Sequence, residues 1–350
     1  MVARPQGVRI RDVAAAARVS PTAVSRYLNG SLSLPHPTAE RIDLAVRHLD
    51  YHPNPHARHL SLGRSESIGL VLPDIANPFF ARLAAAIEEA TGRAGLGLVL
   101  SATLNRQDRE LDYIERMRRN RVDGLIFVTN HPDDGTLRRA LNNAPGVILL
   151  DEDVPGAAVP KVFCDNEEGG FLAGAHLLAA GHRRLAYIGG PTGLMSAKER
   201  RAGFVRALGR YPDAALVHAS CGPYTIAEGA RAATHLLAAG PLPSAIFAAS
   251  DELVLGLLPV LRDAGLRIPA DISIVGFDDV GPLHLLDPPV SAIRQPVAAI
   301  GERAVSLLMS DPASPPPLER LPVCLVERAS VAAPRSDPAT STNKTRRKRL

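Results

Sequence analysis

The chain has 350 residues, a formal net charge of +4 and a hydrophobic content of 46%. This length is enough for a small module and a two-lobed body, and the apolar content supports a sizeable core. There is no run of about eighteen apolar residues and no apolar signal region in MVARPQGVRIRD, so we expect a soluble, cytoplasmic protein without a membrane partner. Cys164, Cys221 and Cys324 are far apart and form no CxxC pair, which argues against a disulfide framework or a zinc site.

The charge is unevenly distributed along the chain. Residues 1–64 and residues 334–350 each carry a net charge of +5, whereas residues 65–333 carry −6. Basic ends on an acidic body would suit phosphate binding at one end. Uneven solvation would give the same pattern, so charge alone is weak support for a nucleic-acid partner.

The first predicted elements are two short helices joined by a tight turn. Apolar residues fall at helical spacing on one face of the first helix: Ile10, Val13, Ala14 and Ala17. Ser20 is a suitable N-cap for a second helix that begins at Pro21. Its apolar stripe consists of Ala23, Val24, Tyr27 and Leu28. This pattern is typical of a helix-turn-helix, whose second helix enters the major groove of DNA.

Polar side chains that can hydrogen-bond bases or phosphates face outward from the second helix. They are Thr22, Ser25, Arg26 and Asn29. A third helix, capped by Thr38 and with Ile42 and Ala45 on its apolar face, is predicted to support the first two and to stop at residues 51–54. An ordinary helical subdomain without a nucleic-acid role is the alternative.

Residues 54–63 suit a brief helix, with Asn54 as the cap, Pro55 in the first turn and Gly63 after the end. So short a helix is marginal alone and forms only when it packs against a partner. A plain linker is the alternative.

From residue 67 the pattern changes to strands that alternate with helices. Strands are predicted at residues 68–72, 97–101, 124–129, 147–151, 185–189, 216–219, 245–249, 273–277 and 321–327. Helices are predicted near residues 79–94, 107–119, 134–143, 167–180, 198–209, 226–239, 252–264 and 297–309. Strands that are apolar on both faces and separated by helices indicate an α/β core of two doubly wound parallel-sheet lobes.

The run DVAAAARVSPTAVSRYLNG and the segment YHPN resemble the DNA-binding headpiece of the LacI/GalR family of transcriptional repressors. The body resembles the cores of that family, which share the periplasmic sugar-binding fold, in SIGLV, NPFF, VDGL, GHRRLAYIG, RAGF, SIVGFD and RQP. The resemblance implies a three-helix head, a hinge helix that orders on DNA and an effector-binding core. It assigns DNA contacts to Ser20, Pro21, Thr22, Ser25, Arg26, Asn29, Asn54, Ala57 and Leu60, with Leu60 as the wedge in the minor groove.

Some positions depart from the family pattern. Arg9 stands where a threonine or serine usually caps the first helix, and Pro35 replaces a serine before the third. Because Pro21 cannot donate a hydrogen bond, direct readout of bases must rely on Thr22 and Arg26. The operator sequence is therefore not transferable from a relative.

The predicted domains are residues 1–53 for the DNA-binding head, 54–66 for the hinge and linker, 67–332 for the core and 333–350 for a disordered basic tail. Residues 67–165 and 294–322 would form the N-lobe, and residues 166–293 and 323–332 the C-lobe. The chain would cross between the lobes near Asp165, Ile293 and Pro322. The tail has no leucine heptads, so we expect a dimer rather than a tetramer.

Ligand sites in open parallel sheets lie beyond the carboxyl ends of the strands. The resemblance places these residues in an inter-lobe cleft that binds the effector: Phe79, Phe80, Thr129, Asp151, Ser196, Arg200, Tyr224, Ser250, Asp278 and Gln295. Carboxylates and an arginine can hold vicinal hydroxyls, and aromatic faces suit a sugar ring or a base.

Three of these assignments have an alternative. Phe80 and Gln295 could equally be packing or lobe-connecting groups, and Asp151 could cap a helix or orient its neighbours. Ser250 stands where many sugar-responsive members have Asn, which leaves the effector class open.

Asp151 and Asp278 also raise the alternative of a glycosidase, which needs one carboxyl with a raised pKa at a defined separation from the other. The sequence lacks GxxxxGK[ST], HExxH, GxSxG and GxGxxG motifs. We therefore expect no catalytic residue, no cofactor and no metal.

The sequence predicts a dimeric, DNA-binding transcriptional repressor that recognises a palindromic double-stranded operator. A small carbohydrate effector would control the affinity of the repressor for this operator. One alternative is a regulator that responds to a nucleoside or purine. Another is a solute-binding protein with the same core fold, against which residues 8–62 and the missing signal region weigh.

Overall fold

The computed structural model describes residues 8–52, 65–119, 122–144, 146–311 and 315–335. It contains two compact units, which meet in the sequence between Glu66 and Ser67. The predicted hinge residues Asn54, Ala57 and Leu60 lie outside the described residues, as does most of the predicted basic tail.

The first unit consists, in its described part, of three helices: α1 (Ile10–Ala17), α2 (Pro21–Leu28) and α3 (His36–His48). Their shared core is formed by Val13, Ala14, Ala17, Val24, Ile42, Ala45 and Tyr51. The predicted N-cap of α2 is confirmed, since the Ser20 hydroxyl accepts a hydrogen bond from the Ala23 N–H at 3.1 Å. The Arg41 guanidinium donates to the Ala17 carbonyl and so ties α3 to the end of α1.

The ends of two helices differ from the predictions. Thr38 does not cap α3, because the helix begins at His36 and Thr38 lies in its first turn. Pro37 has a backbone φ suited to a first helical turn, which moves the start of α3 upstream. The helix also ends at His48, before the predicted stop at residues 51–54. Just beyond its end, Asp50 has a positive φ of 49°. At α1, the Arg9 N–H donates to the Asp12 carboxylate at 2.8 Å.

The second unit is built on two sheets of six strands among the described residues. The strands of the first sheet are β1 (Ser67–Leu72), β2 (Gly97–Ala102), β3 (Gly124–Val128), β4 (Val147–Leu150), β5 (Lys161–Cys164) and β11 (Leu318–Leu321). Those of the second are β6 (Arg184–Gly189), β7 (Ala215–Cys221), β8 (Ala245–Ala248), β9 (Ser273–Asp278), β10 (Ser291–Arg294) and β12 (Cys324–Val326). The spatial orders are β2-β1-β3-β4-β5-β11 and β7-β6-β8-β9-β10-β12, and all neighbours are parallel except β10 and β12.

Helices cover both sheets and define two lobes. The N-lobe helices are α4 (Pro78–Arg93), α5 (Gln107–Arg119), α6 (Thr136–Asn142) and α11 (Val297–Met309), and α11 packs on α4. The C-lobe helices are α7 (Asn166–Ala179), α8 (Met195–Leu208), α9 (Ile226–Ala238) and α10 (Asp251–Asp263). Helix α7 packs on α8, and α9 packs on α10. No helix in the described ranges is long and apolar enough to span a membrane.

The predicted α/β core of two parallel-sheet lobes is confirmed, with a strand or a helix at every predicted position up to residue 309. The chain passes between the sheets at residue 165, at 295–296 and at 322–323. The single strand predicted at residues 321–327 is wrong, because Pro322 has no amide hydrogen for the ladder and the chain there leaves one sheet for the other as β11 and β12. The four-residue strands β5 and β10 were not predicted.

Candidate functional site

A cavity of about 630 Å³ lies between the two lobes, at the carboxyl ends of their strands. In both sheets the strand order reverses at the first strand, between β1 and β3 and between β6 and β8, and such switch points are where open parallel sheets bind ligands. All ten residues predicted for the cleft line this cavity: Phe79, Phe80, Thr129, Asp151, Ser196, Arg200, Tyr224, Ser250, Asp278 and Gln295.

Arg200 is buried on α8 at the floor of the cavity. Its Nε donates to the Asn166 side chain at 2.8 Å and its Nη1 to the Ala249 carbonyl at 2.7 Å. The guanidinium carbon lies 3.8 Å from the centre of the Phe277 ring, within the range of a cation–π contact. Gly170 of α7 lets the α8 backbone approach closely at Arg200, since a Cβ at position 170 would collide with the Arg200 carbonyl oxygen.

Asp278 and Gln295 meet beside Arg200. The Asp278 Oδ1 accepts from the Gln295 amide at 2.7 Å and from Arg200 Nη1 at 3.4 Å. Gln295 follows β10 where the chain leaves the C-lobe, so it packs between the lobes and also lines the cavity. Its Oε1 is buried and has no hydrogen-bond partner among the described residues.

Asp151 follows β4 with a positive φ of 67° and caps no described helix. Burial raises the pKa of its carboxyl to about 7, and the Arg200 charge only partly opposes this effect. The nearby carboxylates of Glu152 and Asp278 raise the pKa of Asp151 further. An aspartate with such a pKa is both a donor and an acceptor near neutral pH.

Glu152 is a site residue that the sequence did not reveal. From the N-lobe, its buried carboxylate reaches the start of α8 in the C-lobe and accepts from the Ser196 hydroxyl at 2.7 Å and the Ser196 N–H at 3.2 Å. The Met195 N–H also donates to it. Helix α8 has no cap from its own side chains, so Glu152 supplies one from the opposite lobe. Burial raises the pKa of Glu152.

Glu110 is a second buried carboxylate that sequence reasoning missed. Its Oε1 accepts from the Thr129 hydroxyl at 2.7 Å and lies 3.3 Å from His131 Nδ1. Burial raises the pKa of Glu110, while the hydrogen bonds from Thr129 and His131 oppose that rise. Thr129 is therefore held by Glu110 at the wall of the cavity. No sequence motif links these residues, which come from α5 and the loop after β3.

The remaining predicted cleft residues are fixed by helix starts and by glycine. The Ser250 hydroxyl caps α10 by accepting from the Leu253 N–H, and the Asn77 side chain caps α4 and so places Phe79 and Phe80. Burial raises the pKa of Tyr224 to about 12, so its phenol is neutral. Gly190 leaves room for the Tyr224 ring, because a Cβ at that position would overlap it.

The predicted DNA-contacting residues of the first unit lie on α2 or next to it. Pro21, Thr22 and Arg26 are exposed, and Ser25 and Asn29 are half-buried. The Ser20 hydroxyl is already used as the cap of α2, so it helps to shape the helix start. Among the described residues, no group of three or more His, Cys, Asp or Glu side chains is placed to hold a metal ion.

Two family models match the chain. Residues 9–54 match the model described as bacterial regulatory proteins, lacI family, and residues 175–331 match a periplasmic binding protein-like domain. The HTH-type transcriptional repressor PurR of Mannheimia succiniciproducens is 32% identical over 306 residues, which cover 85% of this chain and 90% of that protein. The HTH-type transcriptional repressor CytR of Escherichia coli K12 is 31% identical over 304 residues, covering 86% of this chain and 88% of the relative.

Solved structures of transcriptional regulators are also similar to this chain. The lac repressor dimer bound to operator and the anti-inducer ONPF superposes with a TM-score of 0.84 at 28% identity, over 94% of this chain and all of that one (100%). The complex of the transcriptional regulator CelR with cellobiose has a TM-score of 0.70 at 30% identity, over 94% of this chain and 100% of the other.

Proposed function

The chain belongs to the lacI family of bacterial regulatory proteins, and we infer that it is a DNA-binding transcriptional repressor whose operator affinity is controlled by a small molecule. One observation carries this reading: the chain combines a helix-turn-helix with a two-lobed body whose polar and aromatic side chains converge on an inter-lobe cavity. The matched relatives are regulators, and we propose that this chain also binds its ligand without chemical turnover.

We propose that the protein acts in the cytoplasm as a homodimer on a palindromic operator. The support is the lac repressor, which is a dimer on its operator in the superposed structure. Two-fold symmetric helix-turn-helix proteins place one recognition helix in each half-site. Here that helix is α2, with Thr22, Ser25, Arg26 and Asn29 as the residues that contact DNA.

The proposed effector is a small carbohydrate bound between the lobes. The Asp278 carboxylate and the Arg200 guanidinium offer an acceptor and a donor to vicinal hydroxyls. The solved CelR structure is a complex with cellobiose, which supports a sugar as the effector. The aromatic faces of Phe79 and Tyr224 would also suit a nucleobase, so a nucleoside or purine is the second candidate.

The test of this function is a selection from random double-stranded DNA with the full-length protein. We expect enrichment of one palindromic sequence, with two half-sites about one helical turn apart or a multiple of that spacing. The absence of any enriched sequence would leave a solute-binding protein with a helical appendage as the better description.

Arg26 is expected to read a guanine, because arginine matches the O6 and N7 atoms of guanine and this side chain is exposed on α2. Arg26→Ala should cost about 1–3 kcal/mol of operator binding and relax the preference at one position of each half-site. Arg47→Ala, on the exposed side of α3, is the control and should leave base preference unchanged. Equal weakening on every sequence would make Arg26 a phosphate contact instead.

A further inference from the structure

A second cavity opens on the surface of the C-lobe, where helix α8 passes the end of strand β7. We call this cavity the α8 groove. Its lining, among the described residues, consists of Gly190, Thr192, Ala197, Lys198, Arg201, Ala202, Val205 and Cys221. None of these residues lines the inter-lobe cleft, although α8 contributes other residues to that cleft. The α8 groove is therefore a separate concavity.

The charged side chains of the α8 groove are both cations. Lys198 and Arg201 lie one helical turn apart on α8, and the described lining contains no acidic residue. The Lys198 ammonium donates to the Gly193 carbonyl at 3.3 Å and pairs with no described carboxylate. The Arg201 guanidinium makes no hydrogen bond or ion pair with a described residue. An anion in the groove would therefore meet two positive charges that no lining carboxylate offsets.

The charge of Arg201 acts on the inner wall of the α8 groove. Burial raises the pKa of the half-buried Cys221 thiol, and the positive charge of Arg201 opposes that rise. Glu228 adds to the rise, but its effect is smaller than that of Arg201. The Glu228 carboxylate is already paired with Arg231, whose Nε donates to it at 2.8 Å. The cation that faces the thiol is thus available to a ligand, whereas the nearby anion is not.

The rest of the α8 groove is mainly apolar. Ala202 and Val205 follow Lys198 and Arg201 along the exposed side of α8, and Val205 is 46% exposed. Covering such apolar surface removes it from water and is favourable. A bare inorganic ion would contact only the two cations. An anionic group joined to an apolar body would contact the cations and cover the apolar surface at the same time.

We propose that the α8 groove is a second ligand-binding site, which takes a small organic anion: a carboxylate or a phosphate monoester joined to an apolar body. The anionic group lies between Lys198 and Arg201, and the apolar body covers Val205 beside the Cys221 thiol. This site goes beyond the proposed function, because it involves neither the inter-lobe cleft nor DNA. Carboxylates and phosphate monoesters share the required chemistry, and the test distinguishes them.

Cys221 reports the occupancy of the groove in the full-length protein that carries Cys324→Ser. This substitution removes the exposed cysteine, and the third cysteine, Cys164, is only 1% exposed. The Cys221 thiolate attacks the uncharged reagent 4,4′-dithiodipyridine, which forms a mixed disulfide and releases one 4-thiopyridone. The absorbance of the released thiopyridone gives the rate, at constant ionic strength, with and without an added compound.

The added compounds are phenyl phosphate, phenylacetate and the uncharged benzyl alcohol. We expect at least one of the two anions, at about 10 mM, to slow the reaction at least about fivefold, as for a dissociation constant near 2 mM. Benzyl alcohol at the same concentration should slow it less than about twofold, because it lacks the charge that the two cations bind. The anion that protects the thiol better identifies the ligand as a phosphate monoester or a carboxylate.

Two variants tie the protection to the cations of the groove. Lys198→Gln combined with Arg201→Gln should reduce the protection to less than about twofold. Protection is the ratio of the rates with and without the anion in one variant, so a change in the thiol pKa cancels. Arg210→Gln is the matched control and should retain the protection, since this arginine stacks on Phe171 beyond the end of α8.

Saturation-transfer NMR on the ring protons of each anion detects binding without the thiol. Loss of the transferred signal in the double variant, but not in Arg210→Gln, is the expected result and decides the matter where Cys221 reacts too slowly. The inference is wrong if benzyl alcohol protects as well as the anions, or if the double variant keeps the protection or the transferred signal. It is also wrong if neither anion gives protection or transfer at about 10 mM.

Discussion

The carboxyl of Asp151 is costly to ionise in the folded protein. It lies after β4 in a left-handed backbone conformation that aspartate and asparagine tolerate better than most residues. Burial raises its pKa from an ordinary value of 3.8 to about 7. Between these values the folded chain binds a proton that the unfolded chain releases. The contribution of Asp151 to stability is therefore present at low pH and is lost as the pH rises towards 7.

Asp151→Asn should remove this pH dependence, because the amide is uncharged at every pH and suits the same backbone conformation. Relative to the wild type, the free energy of unfolding of the variant should increase between pH 4 and pH 8 by on the order of 1–3 kcal/mol. Urea denaturation across this range measures the difference. Asp112→Asn, at an exposed position of α5, is the control and should run parallel to the wild type. A constant gap between wild type and Asp151→Asn would show that Asp151 is ionised throughout.

At the scale of elements, helix α8 is held by the lobe to which it does not belong. Glu152 of the N-lobe caps its first turn, and Arg320 of β11 donates to Glu199 of α8 with both terminal nitrogens, at 2.6 and 2.7 Å. The same helix carries Arg200 at the floor of the cavity. Separation of the lobes would break the contacts of Glu152 and Arg320 with α8, so these contacts hold the two lobes together.

Arg320→Ala is expected to weaken effector binding, because it removes an ion pair that joins the two lobes between which the cavity lies. A partly exposed pair contributes about 0.2–1 kcal/mol, which corresponds to a loss in effector affinity of up to about fivefold. The control is Arg303→Ala, which breaks a two-pronged pair with Glu319 inside the N-lobe, at 2.5 and 2.6 Å. Titration of both variants measures the effect, and equal losses would mean that the Arg320 pair contributes only general stability.

The elements that sequence patterns predicted are those with long apolar runs, such as β3 and β9, which are buried on both faces. The four-residue strands β5 and β10 were missed because they are too short to give a pattern and pair only where the chain changes lobes. The ten cleft residues came from a family resemblance, and the structure does place them in one cavity. Glu152 and Glu110 were missed because their partners are distant in sequence, and no local spacing marks a carboxylate that caps a helix of another lobe.

At the scale of the whole molecule, the net positive and net negative charges lie in different regions of the chain. Residues 1–64 carry a net charge of +5, whereas residues 65–333, which include the ligand cavity, carry a net charge of −6. Arg335, which was placed in the predicted tail, pairs with Asp271 of the core. A deletion that tests the tail must therefore begin at residue 336.

Removal of residues 336–350, which include five basic side chains, should reduce the salt dependence of DNA binding and leave the selected operator unchanged. The reason is that each phosphate neutralised by a lysine or arginine releases bound counterions, independently of base sequence. Binding measured at several salt concentrations gives the slope. An altered operator preference after the deletion would contradict this role.

Control of a repressor requires that effector and operator affinities depend on each other. The coupling between two sites is typically 1–3 kcal/mol, and it is reciprocal: the effector changes operator affinity by the same factor by which the operator changes effector affinity. The segment between α3 and β1 includes the predicted hinge, and Leu60 is its proposed minor-groove wedge, whose insertion would repay the ordering of so short a helix.

Leu60→Ala should therefore leave effector affinity in the DNA-free protein unchanged, because every described residue that lines the cavity lies in the unit that begins at Ser67. It should bring specific operator affinity close to non-specific affinity and abolish the reciprocal change in effector affinity, since hinge ordering would no longer accompany binding. Leu62→Ala, in the same segment, is the matched control and should retain most of both effects. Effector titrations with and without operator DNA measure all three quantities. If Leu60→Ala keeps full operator affinity and full coupling, residues 54–63 act only as a linker and the two sites communicate through other residues.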